Sequence, residues 1–170
     1  MLRNRRSTMA WHDSQLIGVI AGGLLVFLTS RFLEKRAEKK RVIAGIKTEI
    51  MMQTRLLRIG LKQLEKYKDE LETTGRFKER FRFTGAFETP FLDANLDKLT
   101  ILDEELIGKL IGYRGLTGLL ENATRLTEEM SVRASQERLP DDVVQKRMAI
   151  TINSWRKLLR LGDDILEMIR

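Results

Sequence analysis

The chain has 170 residues, no cysteine, a single histidine and a formal net charge of +7. This length allows one domain of ordinary size plus an appendage, and the lack of cysteine excludes a disulfide framework and thiolate chemistry. Residues 1–41 hold nine Lys and Arg against three acids, so the rest of the chain carries only about +1. The positive charge therefore flanks an apolar segment, and we do not expect nucleic acid to be the partner.

The apolar segment predicts a transmembrane helix at residues 15–33, preceded by a short basic tail at residues 1–14. Residues 16–28 are all apolar or glycine, and with interfacial flanking residues the segment reaches the roughly 17 to 25 residues that a hydrocarbon core requires. A cleaved signal peptide would end in small residues, and a buried helix of a soluble domain would keep a polar stripe, but neither feature is present. The predicted membrane-flanking residues are Trp11, Arg31, Lys35 and Arg36.

The charge bias also predicts the orientation of this helix. Three Lys or Arg precede the segment and six follow it within about a dozen residues, which favours a cytoplasmic C-terminal domain attached to the inner membrane. Gly18 and Gly22 stand four residues apart on one helix face, the spacing that lets two membrane helices approach closely. We therefore expect these two glycines to be the membrane helix-packing residues of a homodimer.

Residues 34–170 are predicted to form one helical domain. Apolar residues recur every seven positions from Ile43 to Leu71, which predicts a helix over about 41–73. No proline interrupts residues 12–73, so we expect the membrane helix to continue into this one. Its face is wide, which is more typical of a globular bundle than of a two-stranded coiled coil, and Gly75 marks its end.

A Phe-rich connector follows the first helix. Five of the seven phenylalanines fall between residues 77 and 91, and basic residues alternate with them. These side chains either cap the distal end of the core, dock a protein partner, or provide a stacking surface for nucleic acid, in that order of expectation. The candidate partner surface consists of Arg76, Phe77, Lys78, Arg80, Phe81, Arg82, Phe83 and Phe87.

Three further helices are predicted, at about 90–99, 103–135 and 140–170. Thr89 and Pro90 resemble an N-cap and a first-turn proline, and the last helix has a clear apolar stripe that contains Trp155. The helix at 103–135 carries four glycines, which cost about 3 to 4 kcal/mol relative to alanine. We expect close packing against a neighbouring backbone at three of them, namely Gly108, Gly112 and Gly115.

These elements together predict an all-α protein in which one N-terminal transmembrane helix continues into a small antiparallel three-helix soluble bundle with a Phe-rich connector. The three long soluble segments have nearly equal lengths, as antiparallel neighbours in one bundle do.

The sequence indicates no catalytic or metal site. His12 is the only histidine and no phosphate-binding glycine loop is present, so we expect no cofactor, no metal and no small-molecule substrate. The acidic groups at 103–105 and 163–167 are typical of a helix start and a solvated face.

The sequence favours a non-enzymatic, single-pass membrane-anchored interaction or scaffold protein that serves as a subunit or accessory of a membrane-associated complex. Its expected partners are the lipid bilayer and a protein partner, a second copy of itself, or both. The alternative is an envelope-spanning or phage-lysis-type protein with the helical domain outside the cytoplasm. A third possibility is a membrane-bound enzyme that uses Asp103 or Glu105.

Overall fold

The computed structural model of the protein describes residues 5–74, 87–137 and 141–170, and the side chains of residues 22–74, 87–133 and 142–170. It consists of α1 (Arg5–Thr74), α2 (Pro90–Ala94), a 3₁₀ helix (Leu96–Ile101), α3 (Glu104–Glu137) and α4 (Asp141–Met168). No strand occurs in these ranges, which confirms the predicted all-α class. The chain divides into two units, Met1–Arg41 and Val42–Arg170, and each is described by itself.

The first unit contains the beginning of α1. Its described apolar side chains are all more than half exposed: Leu24, Leu25, Val26, Phe27, Leu28, Phe32 and Leu33. Within the part of the chain that the structure describes, no helix has the length and apolar character needed to cross a membrane. Residues 15–21 of the predicted span lie outside the residues whose side chains are described.

The second unit is a bundle of α1, α3 and α4. The Arg58 guanidinium lies 2.5 Å from the Asp163 carboxylate, and Arg156 lies 2.6 Å from Glu65, so α4 runs antiparallel to α1. The indole nitrogen of Trp155 on α4 donates to the Thr124 hydroxyl on α3 at 3.1 Å.

The order of contacts makes α4 antiparallel to α3 as well. The Thr127 and Thr151 hydroxyls are 2.9 Å apart. Compared with the contact between Trp155 and Thr124, this contact lies one turn later on α3 and one turn earlier on α4. Because α1 and α3 are both antiparallel to α4, they run parallel to each other.

This direction corrects the predicted arrangement, in which the Phe-rich connector lay at one end of a wholly antiparallel bundle. Glu88 accepts a hydrogen bond from the Gln53 amide, and Gln53 is about 30 Å along α1 from Thr74 at the helical rise of 1.5 Å per residue. A connection between two parallel helices must begin at the end of one and finish near the start of the other. The described chain leaves α1 at Thr74 and resumes at Phe87, about 30 Å back along α1.

The core follows the predicted apolar rows and has two parts. The larger part joins residues 42–57 of α1 to the segment 87–102, to the first half of α3 and to the C-terminal half of α4. The smaller part joins the second half of α1 to the start of α4 through Leu64, Leu71, Val144, Met148 and Ile152. Gln53 and Gly60, which stand seven residues apart on α1 and outside its apolar row, are buried too.

A side chain from another helix caps α2. The Glu49 carboxylate on α1 accepts the Phe91 amide at 2.7 Å and the Leu92 amide at 3.0 Å. Both amides belong to the unpaired first turn of α2, where a negative charge is also favoured by the helix dipole. Thr89, the predicted N-cap, makes no side-chain capping bond and its hydroxyl instead lies 3.3 Å from Asp93. The single helix predicted at 90–99 is thus a short α-helix followed by a 3₁₀ helix.

Candidate interaction surfaces

The face of α3 that points away from the core is uncharged over five turns. Eight exposed residues share a sector of about 120° at 100° per residue: Gly108, Ile111, Gly112, Gly115, Gly118, Leu119, Asn122 and Leu126. Ile111 is 56%, Leu119 is 68% and Leu126 is 42% exposed. An outer helix face is normally charged and polar, so α3 presents apolar surface where solvent would otherwise be expected. We call these eight residues the α3 outer face.

The inner face of α3 has the opposite bias in its second half. Thr124, Thr127 and Ser131 are buried there, and the Thr127 and Ser131 hydroxyls donate to carbonyls of their own helix at 2.8 and 2.7 Å. Such bonds satisfy buried hydroxyls without water. On α3, therefore, some apolar side chains are exposed to solvent and some hydroxyl side chains are buried in the bundle.

The predicted close-packing glycines lie on this outer face. A Cβ atom added at Gly108 or Gly115 would meet no atom within 4 Å, and one added at Gly112 would lie 3.9 Å from Leu161. None of the three therefore packs against a neighbouring backbone within the described chain. The close approaches occur elsewhere: a Cβ at Gly162 would lie 2.6 Å from the Thr54 methyl group, and one at Gly45 would overlap the Phe91 ring.

Phe87 was predicted as part of a partner surface, and its position corrects that expectation. It is 8% exposed, and its ring packs edge-on against Trp155 with a centroid separation of 5.5 Å and an interplanar angle of 76°. This geometry is favourable for aromatic pairs and makes Phe87 a core residue. The other seven predicted partner-surface residues, from Arg76 to Phe83, lie outside the described residues.

The residues predicted to flank or pack the membrane helix lie on α1. Gly18 and Trp11 lie outside the residues whose side chains are described, and a Cβ at Gly22 would meet no atom within 4 Å. The Arg31 guanidinium carbon lies 5.0 Å from the centroid of the Phe27 ring, a cation–π distance. Lys35 and Arg36 are exposed.

The second unit has several open grooves, and two of them differ in the chemistry of their walls. One, between α1 and the C-terminal part of α4, has both signs of charge along its walls, and its Arg58 and Asp163 neutralise each other. The other has mostly apolar walls that include Met52, Leu56 and Phe91. Neither contains a converging set of side chains with a common chemistry. Among the described residues no group of three His, Cys, Asp or Glu could hold a metal ion.

Tyr113 is a buried polar residue that the sequence analysis did not single out. Its side chain is fully buried, and its hydroxyl finds no hydrogen-bond partner among the described residues. Burial raises the pKa of the Tyr113 phenol well above its ordinary value of 10.0, and the negative charges of Glu49 and Asp163 raise it further. No sequence signal distinguishes this tyrosine from an apolar core residue, because it occupies a regular inward position of α3.

We expect Tyr113→Phe to leave stability below pH 9 unchanged or to raise it by up to about 1 kcal/mol, because it removes an unpaired buried hydroxyl. Above pH 10 the unfolded tyrosine ionises while the folded one stays protonated, so the stability of the native chain falls as pH rises. The variant lacks this contribution and should lose less stability between pH 9 and pH 11 in chemical unfolding followed by circular dichroism. A steeper loss in the variant would contradict the expectation.

No known protein family, no curated protein and no solved structure matches this chain.

Proposed function

We propose that the protein is a non-enzymatic, single-pass membrane-anchored interaction or scaffold protein, with residues 15–33 in the inner membrane and the helical bundle in the cytoplasm. The proposal makes it a subunit or accessory of a membrane-associated complex. The observation that carries it is the uninterrupted apolar segment at residues 16–28, followed by a block of basic residues.

The described part of that segment has features that suit a lipid environment. The Thr29 hydroxyl donates to the Leu25 and Val26 carbonyls at 2.8 and 2.9 Å, and the Ser30 hydroxyl donates to Phe27 at 3.0 Å. Both polar groups are therefore satisfied without water, as they must be in hydrocarbon. The neighbouring apolar side chains are exposed all around the helix, and lipid would remove their contact with water.

Arginine in the middle of the segment tests the anchor. We expect Leu24→Arg/Leu25→Arg to release most of the chain from carbonate-washed membranes, because each arginine costs roughly 3 kcal/mol at the centre of a membrane helix. Met51→Arg/Met52→Arg is the matched control, since it changes two adjacent residues of α1 that are 53% and 63% exposed in the second unit. Equal membrane association of the two variants would refute the anchor.

The orientation has a separate test. Reporters that are active only in the cytoplasm or only outside it can be fused after Arg170. A cytoplasmic signal supports the proposed orientation. A signal outside the cytoplasm contradicts it and favours the envelope-spanning or phage-lysis alternative.

A further inference from the structure

We propose that the α3 outer face is the binding site for the same face of a second copy of this chain. Of the surfaces described above, the α3 outer face alone combines large exposed apolar side chains, glycines that no described residue packs closely against, and an absence of charge over five turns. The inference goes beyond the proposed function and does not depend on the membrane anchor.

The order of residues on this face is almost symmetric about Gly115. Gly112 and Gly118 stand three residues to either side of it, and Ile111 and Leu119 stand four residues to either side. In a two-fold symmetric dimer the same surface of both copies is in contact, so each protruding side chain of one copy must fit a recess of the other. Here the protrusions are Ile111 and Leu119, and the recesses are lined by glycine.

The helical geometry puts each protrusion beside a recess of the other copy. With the two-fold axis at Gly115, in an antiparallel pair Leu119 of the second copy comes level with Ile111, over the gap between Gly108, Gly112 and Gly115. In a parallel pair Ile111 of the second copy enters that same gap. The glycines allow the two backbones to approach closely, and the contact between copies offsets the helix-propensity cost that no contact among the described residues offsets.

The size and charge of the face suit a weak, reversible dimer. The five turns are about 27 Å long, and a strip of helix of that length buries on the order of 500 Å² per copy, at the low end of specific interfaces. The borders of the face carry both signs, with Glu105 and Lys109 on one side and Arg114, Glu121 and Arg125 on the other. In an antiparallel pair about Gly115 the two Arg114 side chains come close together, and the ion pair of each with Asp93 offsets this like charge.

The absence of cysteine permits a direct test by oxidative crosslinking of the purified full-length chain. We expect Gly115→Cys to form a disulfide-linked dimer at least tenfold more efficiently than Lys157→Cys, a control at an exposed position of α4. Adding Leu119→Glu should lower the crosslinking of Gly115→Cys at least tenfold, while the circular dichroism spectrum and melting temperature stay unchanged, because Leu119 is 68% exposed.

A second pair of variants gives the direction of the two helices. A disulfide between two Gly108→Cys chains would identify a parallel pair. A disulfide between a Gly108→Cys chain and an Asn122→Cys chain would identify an antiparallel one.

Two outcomes would overturn the proposal. One is that Gly115→Cys crosslinks no better than Lys157→Cys. This is also the result expected if a different protein or lipid, and not a second copy, covers this face. The other is that Leu119→Glu leaves the crosslinking unchanged. The Leu24→Arg/Leu25→Arg chain, crosslinked in detergent at equal protein concentration, separates this proposal from the anchor, because it should lose membrane association and keep the dimer.

Discussion

Replacement of Trp155 by alanine is expected to lower the free energy of unfolding by about 3–5 kcal/mol, the range for removing a large aromatic side chain from a packed core. Trp155 is fully buried and joins three parts of the fold. It lies on α4, packs against the Phe87 ring and donates its indole N–H to Thr124 on α3. Its loss therefore leaves a cavity, removes the edge-on contact with the Phe87 ring and removes the indole donor to the Thr124 hydroxyl.

The measurement is denaturant unfolding of the full-length chain followed by circular dichroism. Thr124→Val is a milder companion variant in case Trp155→Ala does not fold. It keeps the side-chain volume but leaves the buried indole N–H without this acceptor, which costs about 1–3 kcal/mol. A loss below 1 kcal/mol for Trp155→Ala would show that this residue does not link α3, α4 and the segment that begins at Phe87.

Replacement of Gly162 by alanine is expected to lower the free energy of unfolding by about 1–2 kcal/mol, although alanine is the better helix former. The added methyl group would lie 2.6 Å from the Thr54 methyl group and 3.1 Å from the Tyr113 ring. Both neighbours are buried and have no room to move away. Overpacking of this kind costs about 1–3 kcal/mol, and the gain of up to about 1 kcal/mol in helix propensity offsets only part of it.

Two companion variants test the cause. Thr54→Ser removes the nearest methyl group and keeps a hydroxyl that can donate to the Met51 carbonyl, so the double variant with Gly162→Ala should regain most of the lost stability. Gly108→Ala, measured in the Leu119→Glu chain so that no second copy interferes, should instead raise stability by up to about 1 kcal/mol. If the two glycine substitutions change stability in the same direction, the assigned packing around Gly162 is wrong.

Local signals predicted the helices well because those signals are properties of neighbouring residues. The seven-residue apolar row of α1 is buried from Ile50 to Leu71, and the stripe on α4 is buried from Ile152 to Gly162, while their outer members Ile43, Leu166 and Ile169 are partly buried. Within the described residues α1 extends to Thr74, α3 to Glu137, and α4 begins at Asp141. Glycine and proline end helices through their own backbone preferences, which act without tertiary context.

The candidate sites were less predictable because their environment depends on residues far away in the chain. The glycines of α3 and Gly162 of α4 are alike as sequence features, yet only Gly162 has close neighbours. Phe87 belongs to a run of phenylalanines in the sequence, and its contact with Trp155 makes it a core residue. Glu49 looks like an ordinary charged residue of α1, and only the return of the chain to Phe91 turns it into a helix cap.

The all-α class and the principal buried rows of the long helices follow from the amino-acid sequence alone, because helix periodicity acts over a few positions. The tertiary structure decided that α1 and α3 run parallel, that hydroxyl groups occupy part of the α3 interior, and that the glycines of α3 lie on an open apolar face. These features depend on which helix occupies which side of its neighbour. That choice is made by the combined packing of residues as distant as Gln53, Tyr113 and Gly162, which no local pattern encodes.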